Sequence, residues 1–172
     1  WRTYSEGLES KYVNCLLENN RGMWAATNGG GVSKLEDGIW KPYNEGLESK
    51  YVNFLLEDNL GALWAATDEG VSKLEDGIWR TYSEGLKDKY VNRLFVDSHG
   101  TILAATNEGA SWLDGKTWRL YSDGLDSNVV RCLIEDSPGN IWAATDDGVW
   151  KKQEGGAWTT QYTTRDGLGS ND

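Results

Sequence analysis

The amino-acid sequence predicts an all-β protein assembled from repeated four-stranded antiparallel sheets. Three observations lead to this fold class: the composition, an internal repeat with a period of about 39 residues, and turn motifs at fixed places within each repeat. Ten Trp, eight Tyr and 21 Gly against two Pro are typical of many short strands joined by tight turns. With 172 residues, the chain is long enough for one domain with a substantial hydrophobic core.

The internal repeat decides the architecture. The segment EGLESKYVN occurs at residues 6–14 and again, letter for letter, at residues 45–53. A Trp followed within a few residues by Tyr starts each unit. The predicted single domain of residues 1–172 therefore divides into repeats 1–39, 40–78, 79–117 and 118–157, with residues 158–172 forming an extra outer strand and the start of a further repeat.

Each unit contains the same succession of strand signals. The Trp-x-x-Tyr strand, which we call the outer strand, precedes a Gly-Leu loop and an apolar inner strand such as residues 51–57. A Leu-Trp-Ala-Ala-Thr strand and a Val-Ser-Lys-Leu strand follow, each after a turn. In this order, residues 1–4 would complete a preceding blade, and residues 158–162 would complete the fourth blade.

The turns have residue types that determine their geometry. An acceptor side chain followed three residues later by glycine, as in Asp58 and Gly61, predicts a type I turn. Asp-Gly pairs at residues 37–38, 76–77 and 114–115 predict two-residue hairpin loops, because glycine readily adopts a positive φ. Apolar side chains alternate onto both faces of the strands, so each sheet must be covered on both sides.

Repeated four-stranded sheets that are covered on both faces predict a β-propeller with four blades per chain. An open stack of blades would expose an apolar face at each end, so we expect a homo-oligomer formed through exposed blade edges. Two chains could form an eight-bladed ring, with the surplus outer strand donated to the partner, and one chain could close alone as a four-bladed propeller. We favour the two-chain ring.

Composition and charge argue against several classes of function. With 17 basic and 27 acidic residues the net charge is -10, so neither a nucleic acid nor a membrane surface is expected as a partner. His99 is the single histidine, and Cys15 and Cys132 lack metal-ligand spacing. We therefore predict no catalytic residue, no metal, no cofactor and two free thiols. No signal peptide or transmembrane segment is found in this sequence.

The recurring aromatic and acidic residues are interpreted as structural. Residues that recur once per blade are expected to pack between blades rather than to form a sugar platform. This applies to one repeat position, which is filled by Trp24, Trp64, Leu103 and Trp142. Carboxylates such as those at residues 135–136 recur with the turns and are expected to cap them rather than to form an acid/base pair. His99 is expected on the surface.

Ligand-contacting residues are sought where nearly identical repeats differ, because packing does not dictate the residue there. The inner strands begin at the face where propellers commonly bind ligands. The candidate ligand-binding residues at these strand starts are Asn14, Asn53, Asn92, Arg93 and Arg131. The two arginines would be cationic exceptions in an acidic chain.

The fourth unit carries a recognisable family pattern. Gly-Leu-x-Ser-Asn at residues 124–128, Glu-Asp at 135–136 and Gly-Asn-Ile-Trp-Ala-Ala-Thr at 139–145 resemble the two-component regulator propeller repeat, and all four units share the pattern. The resemblance implies the sensor β-propeller of a bacterial hybrid two-component system, in an extracytoplasmic (periplasmic) location. It further implies a non-catalytic sensing or binding module for a small molecule or a glycan.

Two alternative functions stay open at this point. The chain could be a purely structural, self-assembling propeller fragment, which a glycan-array screen and the mass in solution would distinguish from a receptor module. It could also be a propeller lyase, although lyases of that type use several histidines and a metal on one face. A single histidine argues against the lyase, and we predict that the chain is not an enzyme.

Overall fold

The computed structural model describes residues 4–125, 129–153 and 155–169. Contacts divide the chain into two compact units, Trp1–Tyr82 and Ser83–Asp172, and each unit contains two four-stranded antiparallel sheets. The predicted all-β class and the four sheets of four strands are thereby confirmed. The strand predicted at residues 1–4 lies outside the described residues except for Tyr4, as do residues 126–128 of the family pattern.

In the first unit, the strands of each sheet follow the order of the chain, and every strand pairs with the next. Blade 1 consists of β1 (Val13–Asn19), β2 (Gly22–Thr27), β3 (Gly31–Glu36) and β4 (Ile39–Pro42). Blade 2 consists of β5 (Val52–Glu57), β6 (Leu63–Thr67), β7 (Gly70–Glu75) and β8 (Ile78–Thr81). The inner strands β1 and β5 contact each other.

The second unit repeats this arrangement. Blade 3 consists of β9 (Val91–Val96), β10 (Ile102–Thr106), β11 (Gly109–Asp114) and β12 (Thr117–Leu120). Blade 4 consists of β13 (Val130–Glu135), β14 (Ile141–Thr145), β15 (Gly148–Lys152) and β16 (Trp158–Tyr162). A 3₁₀ turn, Thr164–Asp166, follows β16. Within this unit the inner strands β9 and β13 contact each other.

Neighbouring blades of a unit pack through two different faces. We call the face that meets the following blade the forward face, and the face that meets the preceding blade the back face. The forward face of blade 1 places Trp24, Ala26 and Val32 in the core. The back face of blade 2 covers them with Val52, Leu55, Leu63, Ala65 and Trp79. All eight side chains are at most 3% exposed, which is the close packing expected of a hydrophobic core.

Blades 3 and 4 form the corresponding core with smaller forward residues. Leu103, Ala105 and Ala110 form the forward face of blade 3. The back face of blade 4 supplies Val130, Leu133, Ile141, Ala143 and Trp158. Leucine in the place of tryptophan, and alanine in the place of valine, are therefore accommodated by the same face-to-face contact.

An indole hydrogen bond connects the outer strands of adjacent blades. Trp79 Nε1 donates to the carbonyl oxygen of Tyr43 at 2.7 Å, and Trp158 Nε1 donates to that of Tyr121 at 2.8 Å. The Trp-x-x-Tyr motif thus supplies a donor to the preceding blade and an acceptor to the following one. Buried indole N–H groups require such a partner, so the bond orients each outer tryptophan.

The hairpin loops agree with the predicted turn in blade 2 and are shifted in blade 3. The Asp-Gly pair at residues 76–77 has φ values of 51° and 84°, as a two-residue type I′ loop requires. In blade 3, Asp114 still belongs to β11 and pairs with Thr117, so the loop consists of residues 115–116. The prediction of an Asp-Gly loop at 114–115 is therefore wrong by one residue, and Gly115, with φ of 63°, opens the loop.

Candidate functional site

The predicted asparagines lie at the start of the inner strands and connect adjacent blades. Asn14 Nδ2 donates to the carbonyl oxygen of Val52 at 2.9 Å. In the second unit, Asn92 Nδ2 donates to the carbonyl oxygen of Val130 at 2.9 Å. Asn53 occupies the same position on β5 and is half-buried. The amides at positions 14 and 92 thus have a structural role, and ligand contact by the asparagines stays a prediction.

The two predicted arginines lie on adjacent inner strands of the second unit. Arg93 on β9 is exposed, and its Nη1 lies 3.9 Å from the sulfur of Cys132. Arg131 on β13 is 60% exposed, and its Nε donates to Asp146 Oδ1 at 2.6 Å. Because both guanidinium groups reach solvent beside Asn92, this end of the second unit can present positive charge to a ligand.

Sequence reasoning missed a tyrosine that precedes three of the inner strands. Tyr12, Tyr51 and Tyr90 are 64%, 53% and 41% exposed. A side-chain oxygen two residues earlier accepts a hydrogen bond from each tyrosine N–H. Each tyrosine carbonyl accepts another from the loop between the two middle strands of its blade. Their recurrence was visible in the sequence, whereas their exposure was not.

The loops between the middle strands are fixed beside these tyrosines. In blade 2, Thr67 Oγ1 donates to the carbonyl oxygen of Gly70 at 2.9 Å and accepts from Glu69 N–H at 3.1 Å. Asp68 N–H donates to the carbonyl oxygen of Tyr51. Asp68 Oδ1 is buried and has no hydrogen-bond partner within the described residues. Such a buried acceptor without a partner is costly, and it marks this loop as a place of incomplete hydrogen bonding.

The tryptophans of the middle strands pair with the turn carboxylates, a contact that the sequence analysis did not predict. Trp64 is 3% exposed, and its Nε1 donates to Asp58 Oδ2 at 2.8 Å. The other oxygen of Asp58 accepts from the N–H groups of Leu60 and Ala62, which caps the turn. In blade 4 the indole of Trp142 makes the same bond to Asp136 and is the main reason that the pKa of this carboxyl lies below its usual range.

A charged cluster joins the outer half of each blade in the first unit. Glu36 accepts hydrogen bonds from Lys34 Nζ at 3.1 Å and from the Tyr43 hydroxyl at 3.0 Å. Hydrogen bonds from Lys34 and then Lys41 lower the pKa of Glu36 from its ordinary value of 4.5 to about 2. In blade 2 the Tyr82 hydroxyl is the main cause of a lowered pKa at Glu75. These side chains stabilise the sheet and do not form a site.

No metal centre or membrane-spanning helix is found in the part of the chain that the structure describes. Over residues 4–125, 129–153 and 155–169, no three His, Cys, Asp or Glu side chains converge as metal ligands. Within the same ranges, no helical segment has the length and apolar character needed to cross a bilayer. His99 lies in the exposed turn after β9, at the opposite end of that strand from Tyr90.

Comparison with known families and structures identifies the class of the fold. Residues 124–147 match the family described as two component regulator propeller, which confirms the resemblance inferred from the repeat. The chain is therefore a β-propeller chain with four blades of four strands. No curated protein sequence matches the chain.

Several solved structures are similar to the chain. The extracellular domain of the hybrid two component system BT3049 from B. thetaiotaomicron is 26% identical, with a TM-score of 0.82 over 99% of this chain and 24% of that chain. The extracellular domain of BT4673 from B. thetaiotaomicron is 16% identical, with a TM-score of 0.73 over 88% of this chain and 24% of that chain. A virginiamycin B lyase from Staphylococcus aureus is 16% identical, with a TM-score of 0.75 over 92% of this chain and 59% of that chain. The chain thus spans about a quarter of the two B. thetaiotaomicron chains.

Proposed function

We propose that the chain is a non-catalytic ligand-binding module in the extracytoplasmic sensor region of a two-component regulator. The match at residues 124–147 and the similarity to the extracellular domain of BT3049 support this context. The observation that carries the proposal is the repeated, exposed tyrosine that is held rigidly at the start of an inner strand. Because Tyr12 and Tyr51 are each more than half exposed, much of each ring is available to a partner molecule.

The chemistry around these tyrosines suits a small molecule or a glycan. A tyrosine ring presents an apolar face to the C–H groups of a sugar ring and a hydroxyl to its polar edge. In the first unit, Tyr51 is held beside the loop between the middle strands by the bond from Asp68 N–H to its carbonyl oxygen. In the second unit, the exposed Arg93 and Arg131 add cationic donors, which favours a ligand with an acidic group at that end.

A glycan-array screen of the full chain, followed by calorimetric titration of the best ligand, tests the proposal. We expect Tyr12→Ala and Tyr51→Ala each to weaken binding at least tenfold. The matched control is Tyr4→Ala, because Tyr4 is 62% exposed and its carbonyl oxygen bonds to Trp40 on the outer strand. The proposal is wrong if no screened glycan or small molecule binds, or if both variants bind as tightly as the control.

The lyase alternative has weaker support. Similarity to virginiamycin B lyase at 16% identity concerns the fold alone. The one histidine of the chain, His99, lies in an exposed turn away from the tyrosines. No imidazole is therefore available for general acid/base catalysis at the proposed site. The screen also separates a binding module from a purely structural fragment, since only the former retains a glycan.

A further inference from the structure

The forward face of blade 4 lacks the cover that the same face has in blade 1. Ala144 is exposed and Val149 half-buried, whereas the equivalent Ala26 and Val32 are 0% exposed. Ile134 on the same face is 55% exposed. A groove of about 430 Å³ runs over this face, and its lining, largely apolar, includes Cys132, Ile134, Trp142, Ala144 and Val149.

The back face of blade 1 is uncovered in a complementary way. Val13 is 41% exposed and Leu16 is 60% exposed. In blade 2 the equivalent residues, Val52 and Leu55, are 0% and 1% exposed because they pack on the forward face of blade 1. The two blades have the same strands in the same register, so the difference in exposure reflects only the neighbour that blade 2 has.

The chain therefore contains both halves of one interface. In the half on blade 1, Val13 and Leu16 are uncovered, whereas Ala25 and Trp40 are already 0% and 6% exposed. Five of the residues with which blade 2 covers blade 1 have counterparts at equivalent positions in blade 1. These counterparts are Val13, Leu16, Met23, Ala25 and Trp40, which match Val52, Leu55, Leu63, Ala65 and Trp79. Four of the five pairs are identical, and methionine for leucine changes the volume little. The second unit shows that this face-to-face contact tolerates changes of similar size.

We propose that the forward face of blade 4 binds the back face of blade 1 in a second copy of the chain. Val13 and Leu16 of the second copy would cover Ala144, Val149 and Trp142, as Val52 and Leu55 cover Ala26, Val32 and Trp24 in the first unit. The contact is head-to-tail, so two copies can make it twice and close an eight-bladed ring. Burial of these apolar side chains supplies the driving force.

One hydrogen bond must change its acceptor on docking. In the described chain, Trp40 Nε1 donates to the carbonyl oxygen of Tyr4 at 3.0 Å. In the repeated interface, the equivalent indole donates to the preceding outer strand, as Trp79 does to Tyr43. Trp40 of the second copy would therefore donate to the carbonyl oxygen of Tyr162. The Tyr4 carbonyl competes with that of Tyr162 for this indole, so deletion of residues 1–4 is expected to strengthen association at least threefold.

The test is the mass of the full chain in solution, measured by light scattering or sedimentation over a series of concentrations. We expect twice 19.2 kDa for the unmodified chain. Leu16→Glu and Ile134→Lys should each weaken association at least tenfold, since each places a charge on one of the two faces. The matched control is Leu60→Glu, because Leu60 is 95% exposed in the turn between β5 and β6 and lies on neither face.

Mixing the two variants distinguishes head-to-tail docking from docking of blade 4 on blade 4. An equimolar mixture should regain a two-chain mass, because one contact is then native and the other opposes Glu with Lys. A one-chain mass for the unmodified chain at every concentration would overturn the proposal. Association that is lost in Ile134→Lys but retained in Leu16→Glu would overturn it as well, and so would weaker association after deletion of residues 1–4.

A measurement on the unmodified chain avoids any effect of substitutions on folding. Cys132 lines the groove, so docking should cover its thiol. We expect the rate of its reaction with a thiol reagent to fall at least fivefold as protein concentration rises through the association range. A rate that does not depend on concentration would contradict the proposal.

Discussion

At the scale of single residues, the tryptophans of the middle strands combine two roles. The ring of Trp64 is buried, and its indole N–H bonds to the carboxylate that caps the turn before it. Recurrence once per blade predicted the burial of Trp64 correctly, although the recurring Tyr51 is exposed, so recurrence alone does not determine burial. The bond to Asp58 could not be predicted, because it depends on how the turn folds back over the strand.

Replacement of Trp64 by alanine should therefore destabilise the protein strongly. We expect a loss of about 3–5 kcal/mol in the free energy of unfolding, as for other large aromatic side chains in cores. Urea denaturation followed by circular dichroism measures the loss. Trp142→Ala is the matched control and should cost less than half as much, since Trp142 makes the same indole bond but is only half-buried. A loss below about 1 kcal/mol at Trp64 would contradict its assignment to the core.

The charged clusters at Glu36 and Glu75 predict a loss of stability in acid. The pKa of Glu36 is lowered to about 2, and the pKa of Glu75 is lowered as well. A depressed carboxyl pKa contributes stability above the ordinary value of 4.5 that is lost as the pH falls toward 2.

The double variant Glu36→Gln and Glu75→Gln isolates this contribution. Its melting temperature should fall less than that of the unmodified chain between about pH 5 and about pH 2.5. Glu48→Gln, at an exposed loop position, serves as the control and should retain the full acid dependence. Equal acid dependence in the double variant would mean that other carboxylates determine it.

At the scale of strands and turns, the hairpin between the third and fourth strands of each blade shows where sequence patterns succeed and fail. Asp-Gly at residues 76–77 predicted the loop correctly, because two positive φ values select these residue types. The same pair at residues 114–115 lies one position earlier relative to the outer tryptophan. The pairing of β11 with β12 joins Asp114 to Thr117 and so places the loop at residues 115–116 instead. This register depends on tertiary packing.

This difference predicts opposite responses at equivalent loop positions. Gly77 has φ of 84°, whereas Lys116 at the same repeat position is not among the residues with positive φ. Gly77→Ala should lower the free energy of unfolding by about 1 kcal/mol, because a Cβ disfavours that region. Lys116→Ala should change it by less than about 0.5 kcal/mol. Thermal or urea melts of the two variants decide the matter, and equal effects would rule out the shifted loop.

At the scale of the whole chain, the repeat determined most of the fold, whereas the site was only partly predictable. Period, strand order and turn residues predicted four sheets of four strands. Differences between repeats directed attention to Asn14 and Arg131, which do lie at the start of inner strands. The exposed tyrosines were not predicted, because they recur at the same position in three blades, as core residues also do. The exposure of a side chain depends on how the blades pack and cannot be read from the repeat alone.

The two cysteines give a simple test of the chain as a whole. Neither forms a disulfide: Cys15 packs against the core of the first unit, and Cys132 lies on the groove of blade 4. Titration under denaturing, non-reducing conditions should find two thiols per chain. Under native, dilute conditions Cys132 should react faster than Cys15, which peptide mapping of the labelled protein would show. A disulfide, or the reverse order of labelling, would contradict this placement of the repeats.

The indole bond between outer strands has a consequence for how such chains can change in length. Trp40 and Trp79 each reach back 36 residues, to Tyr4 and Tyr43, so each bond spans less than one repeat. Unequal recombination between gene segments that encode the identical stretches at residues 6–14 and 45–53 would remove or add one complete repeat. Every remaining tryptophan would still find a tyrosine carbonyl at the same distance along the chain. Blade number can thus vary by gene duplication or deletion without a single compensating substitution at the junction.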